Sequence, residues 1–223
     1  MHKERLLDKL DRKFGRFAIR NLMMIVVGAM AIIYIMDYLI LNTKGVSILS
    51  MLTFNYEAIL EGQVWRILTF IFLPPRSNIF FIIFSLYFYW LIGEGLESEW
   101  GAFKFNVFYF FGLFCTLIVG FFTGYATNTF INLSLFLAFA ILFPDFEIRV
   151  FFLIPIKVVY IAIIDLISLI TMLIILPWES KILIIISFAN VILFFWRDFI
   201  DGTKERYRRY KYRKQADDYW KKR

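Results

Sequence analysis

Long apolar stretches dominate the chain and constrain its fold more than any other feature. A helix needs about 20 mostly apolar residues to cross the hydrocarbon core of a bilayer. The chain has 28 Phe among 223 residues and is 61% hydrophobic, which is more than a soluble domain normally carries. We therefore predict an all-α, polytopic membrane protein. Its six candidate spans are residues 22–41, 79–96, 105–122, 130–143, 150–176 and 182–196.

Basic residues predict how these spans are oriented. Residues 1–21 form a basic N-terminal segment, residues 22–197 the membrane core and residues 198–223 a basic C-terminal tail. Six spans place both tails on one side, and that side receives 21 of the 25 Lys and Arg. The positive-inside rule then predicts that both termini are cytoplasmic. The composition, rich in Ile and Lys, favours a bacterial plasma membrane.

The C-terminal tail has two interpretations. Its sequence, KERYRRYKYRKQADDYWKKR, is basic enough to suggest nucleic acid. A juxtamembrane segment of this composition is more typical of a contact with anionic lipid, because each Lys or Arg near an anionic surface contributes about 1 kcal/mol. We predict anionic lipid as the partner of the basic tails and expect no nucleic acid.

The first external loop, residues 42–78, is unusually apolar. Helical spacing relates Leu60, Val64, Leu68 and Ile71. This pattern predicts an amphipathic helix that lies in the membrane interface, with Trp65 at the depth of the headgroups. Arg66 would then bond lipid phosphate or carbonyl groups within the loop. The alternative is an external loop that happens to be apolar.

Four segments carry a resemblance to a known family. GQVWRILTF, residues 62–70, resembles the first-loop WR motif of rhomboid proteases and derlins through Trp65 and Arg66. In GEGLESEWG, the spacing of Gly93, Glu97 and Gly101 is similar to the pattern of the family's second span. LAFAILFP, residues 137–144, and FFLIPIKVVYIAIIDL, residues 151–166, resemble the end of its fourth span and the start of its fifth. The resemblance implies a six-helix rhomboid-like core with a partly immersed first loop, in which the glycines and Glu97 are structural.

The same resemblance implies that the catalytic residues have been lost. Rhomboid proteases use a serine in a G-x-S-G motif and a histidine base. The serine position corresponds to Thr129, and the glycine after it to Phe130. The positions that help to bind the oxyanion correspond to Phe81 and Ser85. The chain's one histidine, His2, is predicted to lie on the other side of the membrane, so no base can activate a hydroxyl nucleophile there.

These points predict a rhomboid pseudoprotease that is not an enzyme. It would bind or sort the transmembrane segments of client membrane proteins by distorting the bilayer locally, without cleaving them. We expect no cofactor, and no metal, since Cys115 is the one cysteine and no ligand motif is present. Two alternatives remain open. One is an active intramembrane protease with an unrecognised nucleophile, and the other is a transporter or channel subunit.

Two polar residues within the predicted spans form a possible intramembrane polar site. Asp165 lies near the middle of the fifth span, and Asn190 lies within the sixth. A carboxylate at that depth is costly and therefore suggests a function. The alternative is a neutral Asp165 hydrogen-bonded to a neighbouring helix. Asp37, near the outer end of the first span, is expected to reach water.

Overall fold

A computed structural model describes residues 6–75, 77–150, 154–178, 181–182, 184–186 and 189–194. Over these residues the chain is mostly helical, with one pair of short strands. Its elements, in order, are α1 (Leu6–Phe14), α2 (Leu22–Lys44), α3 (Leu49–Leu52), α4 (Tyr56–Leu60), α5 (Arg66–Thr69), α6 (Ile79–Trp100), α7 (Ala102–Thr123), α8 (Thr129–Leu142), β1 (Glu147–Val150), β2 (Ile154–Lys157) and α9 (Val158–Ile175). Single 3-10 turns cover Gly15–Phe17 and Phe70–Phe72.

Four helices, α2, α6, α7 and α9, are long and apolar enough to cross a membrane. They confirm the prediction of a helical chain suited to a membrane. Two further apolar helices, α8 and Ile184–Phe194, are shorter, and the second is described only in part. The arrangement of six spans therefore stays a prediction. The basic tail at 198–223, together with His2, Arg76 and Ser187, lies outside the described residues.

The predicted fifth span, 150–176, was wrong at its start. Glu147–Val150 and Ile154–Lys157 pair as antiparallel strands in which Glu147 lies opposite Lys157, and α9 begins only at Val158. Pro155 provides the physical reason, because a residue that precedes proline is driven towards extended backbone. The Lys157 ammonium lies 2.8 Å from the Asp145 carboxylate, and this hydrogen bond raises the pKa of Lys157.

The predicted interfacial helix through residues 60–71 was also wrong. Gly62 has φ of +99°, a left-handed conformation that ends α4 and separates it from α5. Leu60, Val64 and Leu68 are nevertheless all exposed, whereas Ile71 is buried. The apolar surface that the pattern predicted is therefore present, but it is built from two short helices and a turn.

The short helix α8 lies at the centre of the bundle. It packs against α6, α7 and α9, and nearly all of its residues from Ile131 to Ala140 are buried. Gly95 of α6 lets the helices approach closely, because a Cβ atom there would lie 2.6 Å from the Phe139 ring. The ring of Phe136 also packs against that of Phe88 on α6. The core of the molecule is thus organised around a helix too short to span a bilayer.

Contacts between helix ends define two faces of the bundle. At the first, which we call the N-terminal face, Asn106 near the start of α7 bonds the backbone of Ile19 just before α2. At the second, the loop face, Asn128 at the start of α8 bonds the carbonyls of Ile71 and Leu73 in the segment between α2 and α6. Successive long helices therefore run in alternating directions between the two faces.

Candidate functional site

Arg66 makes three short side-chain hydrogen bonds at the loop face. Its Nη1 donates to the carbonyl oxygens of Ser50 at 2.7 Å and Thr53 at 2.8 Å, and its Nε donates to Oε1 of Gln63 at 2.8 Å. The side chain is buried, with 9% of its surface exposed. Of the two partners predicted for this guanidinium, lipid phosphate and loop carbonyls, the structure provides the carbonyls.

Two neighbours of Arg66 bond the same stretch of backbone. The Trp65 indole Nε1 donates to the carbonyl of Met51 at 3.2 Å, and the Thr69 hydroxyl donates to that of Leu52 at 2.9 Å. The last carbonyls of a helix have no partner within it. Side chains of α5 and of Trp65, which precedes it, thus satisfy the consecutive carbonyls of residues 50–53 at the end of α3. We call this arrangement the α3 cap.

Asp37 binds the opposite end of α3. Its Oδ1 accepts hydrogen bonds from the Ser47 hydroxyl and the Ile48 amide, both at 2.7 Å, and from the Leu49 amide at 3.4 Å. A carboxylate at the start of a helix satisfies orphan amides and complements the helix dipole. The expectation that Asp37 reaches water missed this role. The available signal in the sequence was Ser47, which follows Asp37 by ten residues and lies just before α3.

The motif at the end of α6 lies against the start of α2. A Cβ atom on Gly93 would collide with the Met23 side chain, so glycine is required for this approach. Oε1 of Glu97 accepts from the Asn21 amide at 2.9 Å, where α2 begins. Gly101 has φ of +82° and joins α6 to α7. All three residues thus have structural roles at the N-terminal face, whereas the α3 cap lies at the loop face.

The start of α8 carries the predicted nucleophile position. The Thr129 hydroxyl is exposed and lies 2.9 Å from the Thr127 hydroxyl, its one hydrogen-bond partner among the described residues. Because threonine does not titrate usefully, this partner cannot act as a general base. Phe130 is half-buried and packs against the core. Within the part of the chain that the structure describes, the arrangement supplies a hydroxyl but no neighbouring group that could activate it.

Asn128, between these two threonines, connects the site to the first loop. Its Nδ2 donates to the carbonyls of Ile71 at 2.9 Å and Leu73 at 2.8 Å. The end of the first loop, just after the WR segment, is therefore bonded to the residue that precedes the nucleophile position, 55 to 57 residues later in the chain. The sequence analysis missed Asn128. Its signal was a carboxamide within an apolar stretch, because a buried side-chain amide is expected to donate to nearby backbone carbonyls.

The predicted oxyanion positions on α6 do not form an oxyanion site. Phe81 is exposed in the first turn of α6, and its side chain has no polar donor. The Ser85 hydroxyl donates to the Phe81 carbonyl at 2.8 Å, so it is occupied within its own helix. Neither side chain contributes a donor that is directed at Thr129.

Among the described residues, no contact brings together Asp165 and Asn190, the two polar residues of the predicted spans. Asn190 is buried and donates from Nδ2 to the Phe108 carbonyl of α7 at 3.4 Å, next to Gly112. Asp165 is half-buried on α9 and has no hydrogen-bond or ion-pair partner among the described residues. Asn190 thus joins the partly described helix at 184–194 to α7. Across the same described residues, no three His, Cys, Asp or Glu side chains form a group that could hold a metal.

Comparison of the chain with protein-family models and with curated proteins finds no match.

Proposed function

We propose that this chain is a rhomboid-like, derlin-like pseudoprotease that binds or sorts the transmembrane segments of other membrane proteins by local distortion of the bilayer, without cleaving them. In this proposal α2, α6, α7, α8, α9 and the helix at 184–194 form the six-span core. Both termini lie in the cytoplasm, in a bacterial plasma membrane, and the basic tails contact anionic lipid.

The observation that carries the proposal is the bonding of the first loop, just after the WR segment, to the start of α8. The WR segment and the degenerate nucleophile position resemble the family separately in sequence, and Asn128, next to Thr129, bonds the carbonyls of Ile71 and Leu73 that follow the WR segment. A loop whose backbone carbonyls are bonded by its own side chains can lie among lipid tails, where unsatisfied polar groups are expensive. The exposed side chains of Leu60, Trp65 and Leu68 then face lipid.

The absence of a base supports the non-enzymatic part of the proposal. Thr129 has a hydroxyl partner that cannot accept its proton, and the chain's one histidine is at position 2. We expect the purified protein in lipid to cleave no transmembrane substrate above background. A serine-reactive probe should label the parent and Thr129→Ala equally, as background. Cleavage or labelling that Thr129→Ala abolishes would show an active protease and overturn the proposal.

Client binding has a direct test in native membranes. The family resemblance implies a lateral opening between the second and fifth spans, which correspond to α6 and α9. A photo-crosslinking residue would replace Ile83 on α6 or Ile164 on α9, both exposed. The matched control replaces Ile32, which is exposed to a similar degree on α2. We expect crosslinks to single-span proteins to be enriched at Ile83 and Ile164, and equal yields at all three positions would contradict client binding.

A further inference from the structure

The N-terminal segment before α2 is a folded element. Residues 6–14 form α1, the turn Gly15–Phe17 follows, and both pack against α7. Leu7 and Leu10 are half-buried on this contact, while Lys9, Lys13, Arg16 and Arg20 are exposed. The sequence identified these cations but not the helix that carries them.

Two side chains fix this segment to the helical core. The Asn106 carboxamide bonds both polar groups of one peptide residue. Its Nδ2 donates to the Ile19 carbonyl at 2.8 Å, and its Oδ1 accepts from the Ile19 amide at 3.3 Å. Glu97 accepts from the amide of Asn21, two residues later. Residues 18–21 therefore hold α1 at a set position beside the start of α2.

Exposed aromatic rings accompany the exposed cations. Phe14 and Phe17 have 41% and 67% of their surface exposed, although they are among the most apolar residues of the segment. The Lys13 ammonium lies 5.3 Å from the Phe14 ring centre, and the Arg16 guanidinium lies 4.7 Å from that of Phe17. Apolar rings beside cations are typical of helices that lie in the headgroup layer, since the rings enter the acyl boundary and the cations meet phosphate.

We propose that residues 6–20 form a binding surface for anionic phospholipid in the leaflet at the N-terminal face. Charge favours this partner, because the segment carries five Lys and Arg against two Asp. Position favours it as well, because α2, an apolar helix of spanning length, begins at Leu22. Lys13, Arg16 and Arg20 bind headgroup phosphates, while Phe14 and Phe17 insert beside the first methylenes. The inference rests on the proposed membrane location but not on client binding.

Amide hydrogen exchange in lipid nanodiscs tests this surface with the full chain. One set of discs contains phosphatidylcholine, and the other also contains phosphatidylglycerol. We expect the amides of residues 9–17 to exchange at least about fivefold more slowly in the anionic discs, the factor expected from one basic residue near an anionic surface. The triple variant Lys13→Gln, Arg16→Gln, Arg20→Gln should lose that difference. High salt should weaken it, since surface charges are screened.

Matched controls separate a lipid surface from other causes. Lys44→Gln with Lys181→Gln removes cations from the loop face and should leave the difference intact. Equal exchange in both kinds of disc, or a difference that survives the triple variant, would overturn the proposal. So would equal protection from inorganic phosphate added to the phosphatidylcholine discs, which would indicate a site for free anions. A chain that fails to enter discs contradicts the membrane location itself, whereas loss of client crosslinks with lipid protection intact contradicts client binding alone.

Discussion

At the scale of single residues, the guanidinium of Arg66 has a structural task that depends on its shape. Nη1 and Nε are directed at different partners, two backbone carbonyls and an amide oxygen. A planar fork of donors can satisfy this arrangement, whereas a lysine ammonium is a single point of charge. The cost of removing the fork comes mainly from the carbonyls of Ser50 and Thr53, which would lose their hydrogen bonds to the guanidinium.

Replacing Arg66 should therefore destabilise the protein measurably. We expect Arg66→Ala to lower the free energy of unfolding by about 2–4 kcal/mol, since hydrogen bonds to charged groups contribute about 1.5–3 kcal/mol and the abandoned carbonyls add to the loss. Arg66→Lys should recover part of the difference. Thermal unfolding in detergent measures both variants.

Arg16, which is exposed beside Phe17, is the matched control for charge and chain length. Arg16→Ala should change the stability in detergent by no more than about 0.5 kcal/mol. If Arg66→Ala unfolds at the same temperature as Arg16→Ala, the α3 cap does not stabilise the loop.

The residue type of the cap could be predicted from sequence, but its partners could not. Trp65 and Arg66 stand out as polar or amphipathic groups beside an apolar run. Their acceptors are backbone carbonyls 13 to 16 residues earlier, and a carbonyl has no signature in the sequence. The same limit hid Asn128, whose two acceptors are also backbone oxygens.

At the scale of elements, the contact between α2 and α6 depends on the absence of one side chain. Gly93→Ala should destabilise the protein by about 1–3 kcal/mol, the usual cost of overpacking, because the new methyl group collides with Met23. Gly28 is the matched control. It also lies inside a helix, but a Cβ atom added there would have no neighbouring atom within 4 Å. Gly28→Ala should be neutral or slightly stabilising. Equal losses from the two substitutions would show that helix packing is not responsible.

The link between α1 and the helical core can be tested separately. Asn106→Ala removes the bonds to Ile19 but leaves Glu97 in place. We expect faster amide exchange at residues 15–20 and earlier proteolytic cleavage before α2, with α7 itself still protected. Asn106→Asp keeps the acceptor and loses the donor, so it should give an intermediate effect. Unchanged exchange in Asn106→Ala would mean that packing alone positions α1.

Periodicity and hydropathy predicted the boundaries of an element well only where the segment fits a helix or a strand but not both. The starts of α2 and α6 agree with prediction, and α8 is displaced by a single residue. The hairpin was missed because Ile and Val between positions 148 and 156 suit a strand and an apolar helix equally. The interfacial helix failed because one glycine, Gly62, outweighed a helical pattern of leucine and valine.

At the scale of the whole molecule, the two faces predict which residues share a side of the membrane. With Cys115 first replaced by Ala, single cysteines would be introduced at Lys9, Lys157, Lys44 and Glu61. A reagent that cannot cross the membrane should label positions 44 and 61 from outside intact cells, and positions 9 and 157 only after permeabilisation. Labelling of 9 together with 44 from the same side would contradict the alternating directions of the helices.

The length of α8 has a consequence for how the chain is made. Its 14 residues rise only about 21 Å, about 9 Å less than the hydrocarbon thickness of a bilayer. Newly synthesised α8 therefore cannot bridge the two leaflets by itself. Asn128, which immediately precedes α8, donates to the carbonyls of Ile71 and Leu73. Those acceptors belong to a loop that is translated before α8. We therefore expect an ordered biogenesis, in which the loop between α2 and α6 folds before α8 inserts stably into the helical core.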